Sequence, residues 1–137
     1  MKFSIITVTL NSSSTIRDTL NSVNSQSYKN IEHIIVDGGS KDNTIPLLKK
    51  YSNKNRNFYI KKKFGIYKSI NFGISKAKGE YICILHSDDI FQSNDTIKEL
   101  SSIISKNKSC DIFLGNVAYF DDLNYYKISR FYSSKKF

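Results

Sequence analysis

The sequence predicts an α/β protein with a mostly parallel, Rossmann-like sheet and helices on both faces. Short β-branched and apolar runs alternate with segments whose apolar residues recur every three or four positions, which is typical of strand–helix–strand units. The clearest run is Tyr81–Leu85, five apolar residues without a break. Its length and its Ile and aromatic content favour a strand that is covered on both faces, as in a parallel sheet.

The composition indicates one folded domain with a cationic surface. The 137 residues suffice for one hydrophobic core and are too few for two, so residues 1–137 are predicted to form a single domain. The net charge of +9 favours polyanionic partners. A solvated basic face is the ordinary explanation, contact with an anionic membrane surface is the second choice, and nucleic acid is not expected.

The location predicted from sequence is cytoplasmic. No run of 18 apolar residues suggests a membrane span, and the N-terminus lacks the pattern of a signal peptide. The spacing of Cys83 and Cys110 suggests neither a disulfide framework nor a metal knuckle. Any peripheral contact would involve the inner face of the cell membrane.

The first half of the chain predicts strands and helices in alternation. Residues 3–10 form a β-branched first strand. Polar residues 11–14 can cap a helix over about residues 14–26, and residues 31–36 give a second strand. Pro46 falls in the first turn of a second helix, where its missing N–H costs nothing.

The second half continues this alternation. It predicts a third strand over residues 58–60, a third helix over residues 66–77, and the Tyr81–Leu85 strand. A fourth helix follows the capping residues 94–96, with Ile97, Leu100, Ile103 and Ile104 on one face, and residues 111–120 give a fifth strand. The later aromatic residues are too many for a free tail, so they are expected to pack: Tyr125, Tyr126, Phe131, Tyr132 and Phe137.

Polar side chains lie at the ends of three of the predicted strands. They lie in residues 9–11, in Asp37-Gly38-Gly39-Ser40 and in Ser87-Asp88-Asp89. Because the carboxyl ends of parallel strands meet at one edge of a sheet, and ligands bind there, these groups can converge on one pocket.

The adjacent carboxylates of Asp88 and Asp89 repel each other unless water or a cation relieves them. The pair alone is compatible with a divalent metal that carries a diphosphate and with a solvated turn. Asp37 is likewise compatible with a base or ribose anchor and with a plain Asp-Gly turn. The sequence has no glycine-rich phosphate loop, which favours the metal. Alternation along the strand would turn one carboxylate to the metal and the other to a sugar hydroxyl.

Four motifs in this order resemble a family 2 glycosyltransferase with the GT-A fold, of the branch that assembles bacterial surface polysaccharides. The resemblance covers residues 3 to about 120. Its motifs are Val36-Asp37-Gly38-Gly39-Ser40 followed by Asp42-Asn43-Thr44, Gly65-Ile66-Tyr67 with Asn71 and Gly73-Ile74, Ala77-x-Gly79-Glu80-Tyr81-Ile82, and Ser87-Asp88-Asp89-Ile90-Phe91.

The resemblance implies an inverting transfer from a nucleotide-diphosphate sugar, usually a UDP-sugar, to a saccharide or lipid-linked acceptor. It implies that Asp37 holds the uracil, that Asp88 binds the ribose or the donor sugar, and that Asp89 binds Mg²⁺ or Mn²⁺. Such a metal bridges both phosphates and stabilises the departing UDP. The nucleotide pocket would also include the backbone of Val8 and Thr9, and Asn11.

The chain departs from this family in three ways. Lys63 and Lys68 replace acidic residues, which puts the donor sugar in doubt. His86 lies ahead of the Asp pair. Its ring could contact metal or phosphate, but a buried, hydrogen-bonded ring is the favoured prediction. The family's acceptor half, with the base that deprotonates the acceptor, is expected beyond Phe137.

These departures leave two alternatives open. One is a catalytically incomplete nucleotide-sugar-binding remnant or partner-binding domain, and the other is a nucleotidyltransferase of related fold. If acceptor-side residues are missing, exposed apolar surface along residues 111–137 is expected to promote self-association.

Overall fold

A computed structural model of the chain describes residues 1–121 and 124–134. The chain divides into two compact units, residues 1–103 and the residues from Ile104 onward. That the whole chain acts as one domain stays a prediction. Among the described residues, no helix is long and apolar enough to cross a membrane.

The first unit is built on a four-stranded sheet with the strand order β3-β2-β1-β4, in which every neighbouring pair is parallel. The predicted alternation of strands and helices is confirmed. The strands are β1 (Phe3–Thr9), β2 (Ile31–Asp37), β3 (Arg56–Ile60) and β4 (Tyr81–Ile84), and the helices are α1 (Ile16–Asn24), α2 (Thr44–Lys50), α3 (Ile66–Lys76) and α4 (Thr96–Lys106).

Helices cover both faces of this sheet, as predicted. On one face, Ile35 of β2 packs against Leu20 of α1 and Leu48 of α2. On the other face, Val36 of β2 packs in a cluster with Ile70 of α3. Side chains of neighbouring residues on β2 therefore enter opposite layers, which is the alternation that a strand imposes.

Helix α3 lies unusually close to the sheet at Gly73. A Cβ atom at this position would be 2.6 Å from Cγ2 of Ile6. Glycine is therefore required at this point by the packing of α3 on β1.

The prediction that β4 is covered on both faces is wrong. β4 lies at the edge of the sheet next to β1, and Ile82 and Ile84 are 45% and 41% exposed. Five consecutive apolar residues do suit a strand with two covered faces, but no described residue pairs with the outer edge of β4 or covers these two isoleucines.

The prediction for residues 111–120 is also corrected. The strand begins at Val117, and β5 (Val117–Asp121) pairs antiparallel with β6 (Asn124–Tyr132) in a separate two-stranded sheet.

In α4, Ile97 and Ile104 are buried as expected, whereas Ile103 is exposed. The aromatic rings of Phe131 and Tyr132 are about half exposed rather than packed away; the packing expected of Tyr125, Tyr126 and Phe137 lies outside the described side chains.

Candidate functional site

The loops after β1 and β2 are joined at the carboxyl edge of the sheet. The backbone N–H of Asn11 donates to Oγ of Ser40 (2.8 Å), and the N–H of Lys41 donates to Oδ1 of Asn11 (2.9 Å). One residue on, the N–H of Ser12 donates to Oγ1 of Thr44 (2.8 Å). Asn11 has a left-handed backbone with φ of 51°, which Asn tolerates better than most residues, and this turn brings its amide to the second loop.

Ser12 also joins the loop after β4 to the same edge. Its Oγ lies 2.9 Å from Oγ of Ser87, and Oγ1 of Thr19 in α1 donates to the carbonyl of Ser87 (3.0 Å). Ser87 is buried at 8% exposure and directly precedes the Asp pair. The three strand-end loops predicted to converge are therefore in direct contact.

Asp42 strengthens this junction from the β2–α2 loop. Its carboxylate accepts hydrogen bonds from the N–H groups of Ser13 and Thr44, both at 3.0 Å. Hydrogen bonding to Thr44 and then Ser13 holds the pKa of Asp42 well below its usual range, although some desolvation opposes this shift. Asp42 is therefore an anion whose role here is to fix the loop.

Asp37 is fully buried at the end of β2. Its Oδ1 accepts from the N–H groups of Gly39 and Ser40, both at 2.8 Å, and its Oδ2 accepts from Oγ of Ser40 at 2.5 Å. Gly39 has φ of +99°, a conformation that favours glycine. The structure therefore gives Asp37 a loop-shaping role. Its predicted contact with uracil stays a prediction, and it would have to use the remaining lone pairs of the carboxylate.

Val8 and Thr9 lie at the end of β1. The Val8 side chain belongs to the core cluster on the α3 face, so only its backbone is left for a ligand. The Thr9 carbonyl already accepts from the N–H of Gly38 (2.9 Å). The Thr9 hydroxyl is different, since it is buried and has no hydrogen-bond partner among the described residues. Burying an unpaired hydroxyl costs about 1–3 kcal/mol.

Asp88 and Asp89 are both exposed. Ser87 and Asp88 form a turn, and the N–H of Asp89 donates to the carbonyl of His86 (3.1 Å). The pair thus lies beyond the end of β4, so the prediction that strand alternation orients the two carboxylates is wrong. The free side chains can still diverge within the turn.

The Asp pair suits a particular kind of metal site. Within the described part of the chain, no three His, Cys, Asp or Glu side chains are grouped closely enough to hold a metal alone. Mg²⁺ commonly uses only one or two protein carboxylates and takes its other ligands from water and substrate phosphates. Exposed carboxylates at a strand end therefore fit a metal that arrives with a diphosphate.

His86 is half-buried, and the favoured expectation of a buried, hydrogen-bonded ring is not met in the described structure. Lys63 and Lys68 are exposed. Next to Lys63, the Lys62 side chain lies against Gly39, where an added Cβ would be 3.0 Å from its Cγ. A basic turn therefore borders the glycine loop that follows β2.

Sequence reasoning missed the residues that connect the loops. The sequence predicts Ser12 as a candidate helix cap, but the N-cap of α1 is Thr15, which makes no side-chain capping bond. The missed signal was the number of short polar side chains at three strand ends, more than capping alone requires. The connecting residues are Ser12, Ser40, Asp42, Thr44 and Ser87.

A separate cavity of about 200 Å³ lies at the opposite edge of the sheet. It is bordered by residues that open β2 and β3, including Ile31, His33 and Arg56. It is therefore distinct from the three strand-end loops.

Known proteins are similar to this chain in both sequence and fold. An uncharacterized glycosyltransferase of Rickettsia typhi is 37% identical over 114 residues, which are 82% of this chain and 35% of that protein. Glycosyltransferase GlyG of Streptococcus pneumoniae is 40% identical over 106 residues, 74% of this chain and 35% of that protein. This chain therefore spans about a third of the length of these relatives.

Solved structures show the same architecture. The structure of S. aureus TarS 1–349 in complex with UDP-GlcNAc superposes with a TM-score of 0.73 at 32% identity, covering 79% of this chain and 32% of that one. The mannosyltransferase PcManGT from Pyrobaculum calidifontis, in complex with GDP-Man and Mn²⁺, gives a TM-score of 0.71 at 20% identity, covering 85% and 34%. The second likeness supports the fold alone.

The fold and the strand-end loops thus define an α/β protein of the GT-A glycosyltransferase type. The profile of glycosyl transferase family 2 matches residues 4–137. The chain belongs to glycosyl transferase family 2, and the predicted family and fold class are confirmed.

Proposed function

We propose that this chain is the donor-binding part of an inverting glycosyltransferase. It would take a nucleotide-diphosphate sugar, with a UDP-sugar as the favoured donor, and serve transfer to a saccharide or lipid-linked acceptor in surface-polysaccharide synthesis. The UDP-GlcNAc complex of the similar S. aureus TarS supports the donor class.

The observation that carries this proposal is the junction of the three loops. Ser12 is in contact with both the start of α2, through Thr44, and the loop after β4, through Ser87. Asn11 and Asp37 are joined through Ser40. These contacts bring the residues predicted to bind base, ribose and metal to the same edge of the sheet.

The polar groups at this edge suit the parts of a nucleotide sugar. The unpaired Thr9 hydroxyl lies at the end of β1, where a polar atom of the nucleotide would supply its missing partner. Asp88 would accept a hydrogen bond from a ribose or donor-sugar hydroxyl, and Asp89 would hold Mg²⁺ or Mn²⁺. Bound there, the metal would neutralise charge on the leaving diphosphate. The base for the acceptor hydroxyl is proposed to lie beyond Phe137.

Calorimetry with UDP tests donor binding and the metal together. With Mn²⁺ present, we expect UDP to bind in the micromolar-to-millimolar range. Removing the metal with EDTA should weaken binding by at least about tenfold, or about 1.4 kcal/mol. Asp89→Asn should bind UDP equally with and without Mn²⁺, because the carboxylate that holds the ion is gone.

The matched control is Asp111→Asn, which removes an exposed carboxylate outside the three loops and should keep the full metal effect. Equal UDP affinity of the unmodified protein with and without Mn²⁺ would reject the metal role. No UDP binding at millimolar concentration would reject the donor site. Hydrolysis of a UDP-sugar by the purified chain would separate a working donor site from a remnant.

We also propose a peripheral location at the inner face of the cell membrane. Around the start of α3, exposed apolar side chains alternate with exposed lysines: Lys62, Lys63, Phe64, Ile66, Tyr67 and Lys68. Such a mixture favours an anionic lipid surface, since lysines near it contribute about 1 kcal/mol each. Lys62→Gln/Lys63→Gln should reduce sedimentation with phosphatidylserine vesicles, and unchanged sedimentation would contradict the proposal.

A further inference from the structure

The cavity at the amino ends of β2 and β3 is lined by cations and amides. Arg56 and His33 form its inner wall, and Lys29 and Lys54 lie among the lining residues with Asn24. Both lysines are exposed, whereas Arg56 is only 4% exposed. The charge at this edge of the sheet is therefore positive at the rim and also in the buried wall.

The Arg56 guanidinium is held without a carboxylate. It donates to the carbonyls of Tyr51 (2.5 Å) and Leu20 (3.2 Å), to Oδ1 of Asn24 (2.9 Å), and from Nε to Nδ1 of His33 (3.3 Å). Burial lowers the pKa of Arg56, but a guanidinium stays protonated in proteins. These bonds occupy four of its five N–H groups, and the second N–H of Nη1 has no partner among the described residues.

His33 does not supply a counter-charge. Burial, together with the charge of Arg56, lowers the pKa of His33 to about 3, so the ring is neutral near pH 7. Because Nδ1 accepts from Arg56, the proton is on Nε2, which donates to Oγ1 of Thr7 (2.9 Å). The nearby helix carbonyls provide only partial negative charge.

Among the side chains that the structure describes, no carboxylate pairs with Arg56, Lys29 or Lys54. The described ion pairs involve other cations, such as Lys2 with Glu32 and Lys98 with Asp95. The Lys29 ammonium donates to the carbonyl of Gln26 (2.8 Å). A buried, unpaired cation carries a desolvation cost that a bound anion would offset.

We propose that this cavity binds a phosphate group, at a site separate from the strand-end loops. Arg56 provides a fixed buried charge and one N–H, Lys29 and Lys54 close on the anion from the rim, and the Asn24 amide adds a donor. Phosphate fits this arrangement because it accepts several charge-assisted hydrogen bonds at once. A cavity of about 200 Å³ admits a free phosphate or the headgroup of a phospholipid.

The test measures orthophosphate binding by calorimetry at constant ionic strength, in EDTA to exclude metal. We expect the unmodified chain to bind, and Lys29→Gln/Lys54→Gln to weaken binding by at least about tenfold. The matched control is Lys62→Gln/Lys63→Gln, which removes the same charge at the opposite edge of the sheet and should change binding less than about twofold. In ¹⁵N spectra, the amides of residues 54–56 and the Arg56 side chain should shift.

Three results would overturn the proposal: no binding, equal weakening in both double variants, or spectral shifts confined to the strand-end loops. Arg56→Lys provides a second variant that keeps the charge and should weaken binding through loss of the planar donor set. Sedimentation with vesicles containing phosphatidic acid, measured in the Lys62→Gln/Lys63→Gln background, distinguishes a headgroup from a free phosphate. If Lys29→Gln/Lys54→Gln removes this sedimentation, the cavity binds a headgroup, and if sedimentation is unchanged, it binds free phosphate only. UDP binding should be unaffected by Lys29→Gln/Lys54→Gln, so failure of the donor site and failure of this site are distinguishable.

Discussion

Ser12 shows how one small residue can connect three parts of a site. Its N–H donates to Oγ1 of Thr44 at the start of α2, and its hydroxyl lies 2.9 Å from that of Ser87 in the loop after β4. A net hydrogen bond contributes only about 1 kcal/mol, yet these two fix the spacing between loops. Thr9, in contrast, has a buried hydroxyl that no described residue satisfies, which is why it is the better candidate for direct contact.

His33 makes the free energy of unfolding depend on pH. Its pKa is about 3 in the folded chain and about 6.5 when unfolded, so between these values only the unfolded chain takes up the proton. Stability is therefore full above pH 6.5 and falls as the pH decreases. From pH 6.5 to pH 5 the expected loss is about 2 kcal/mol, measured by urea unfolding.

The control for this prediction is His33→Gln, which can keep an acceptor for Arg56 and a donor for Thr7. This variant should lose the slope between pH 6.5 and 5, whereas His86→Gln should keep it. Glu32 does not produce the change in stability expected between pH 6.5 and pH 5. Burial raises its pKa, but hydrogen bonds from Ser4, Lys78 and Lys2 outweigh burial and lower it below 4.5. A flat stability profile of the unmodified chain would contradict the role of His33.

At the scale of elements, close apolar packing fixes the position of α3, and polar contacts fix the positions of the connecting loops. Gly73 lets α3 approach β1, and the apolar residues Ile70 and Phe72 pack on the same face of the sheet. On the other face, α1 and α2 pack around Ile35. These two apolar layers cover both faces of the sheet, and the connecting loops extend from its carboxyl edge.

Gly73→Ala should destabilise the chain by about 1–3 kcal/mol, because the new methyl group would lie 2.6 Å from Cγ2 of Ile6 and force α3 away from the sheet. Denaturant unfolding measures the loss. Gly115→Ala is the matched control, since nothing lies within 4 Å of its added Cβ. Equal stability of both variants would show that α3 does not approach the sheet this closely.

At the scale of the whole molecule, the uncovered edge of β4 is the feature that most favours self-association. Ile82 and Ile84 are exposed on a strand whose outer edge pairs with no described residue. An exposed, apolar edge strand is a template for pairing with another chain. The sequence predicts self-association through residues 111–137, and we propose it for this edge as well.

Ile84→Lys should reduce self-association, because a charged side chain on an edge strand opposes edge-to-edge pairing. Sedimentation velocity over a range of protein concentrations measures the effect. Ile112→Lys replaces an isoleucine that is more exposed (80%) but lies outside any strand, and it should have a smaller effect. A strictly monomeric unmodified chain at high concentration would contradict the prediction.

The sequence by itself determined the local structure and the chemistry of the strand ends. Periodicity marked the helices and the parallel strands because each apolar face repeats with the geometry of its own element. The placement of Asn11, Asp37 and Asp89 after strands sufficed to predict one shared edge, since parallel strands end on the same side.

Only the tertiary structure decided which residues cover each element and which polar groups are already hydrogen-bonded within the protein. The apolar run Tyr81–Leu85, which contains β4, does not reveal that the outer edge of this strand is open, because coverage depends on non-local partners. The same holds for Asp37, whose carboxylate is bound by its own loop, and for Ser12, whose partners are 32 and 75 positions away. The hydrogen bonds of these residues, and those that hold the buried Arg56, join positions that are distant along the chain. A local sequence pattern does not indicate which distant residues will meet in the fold.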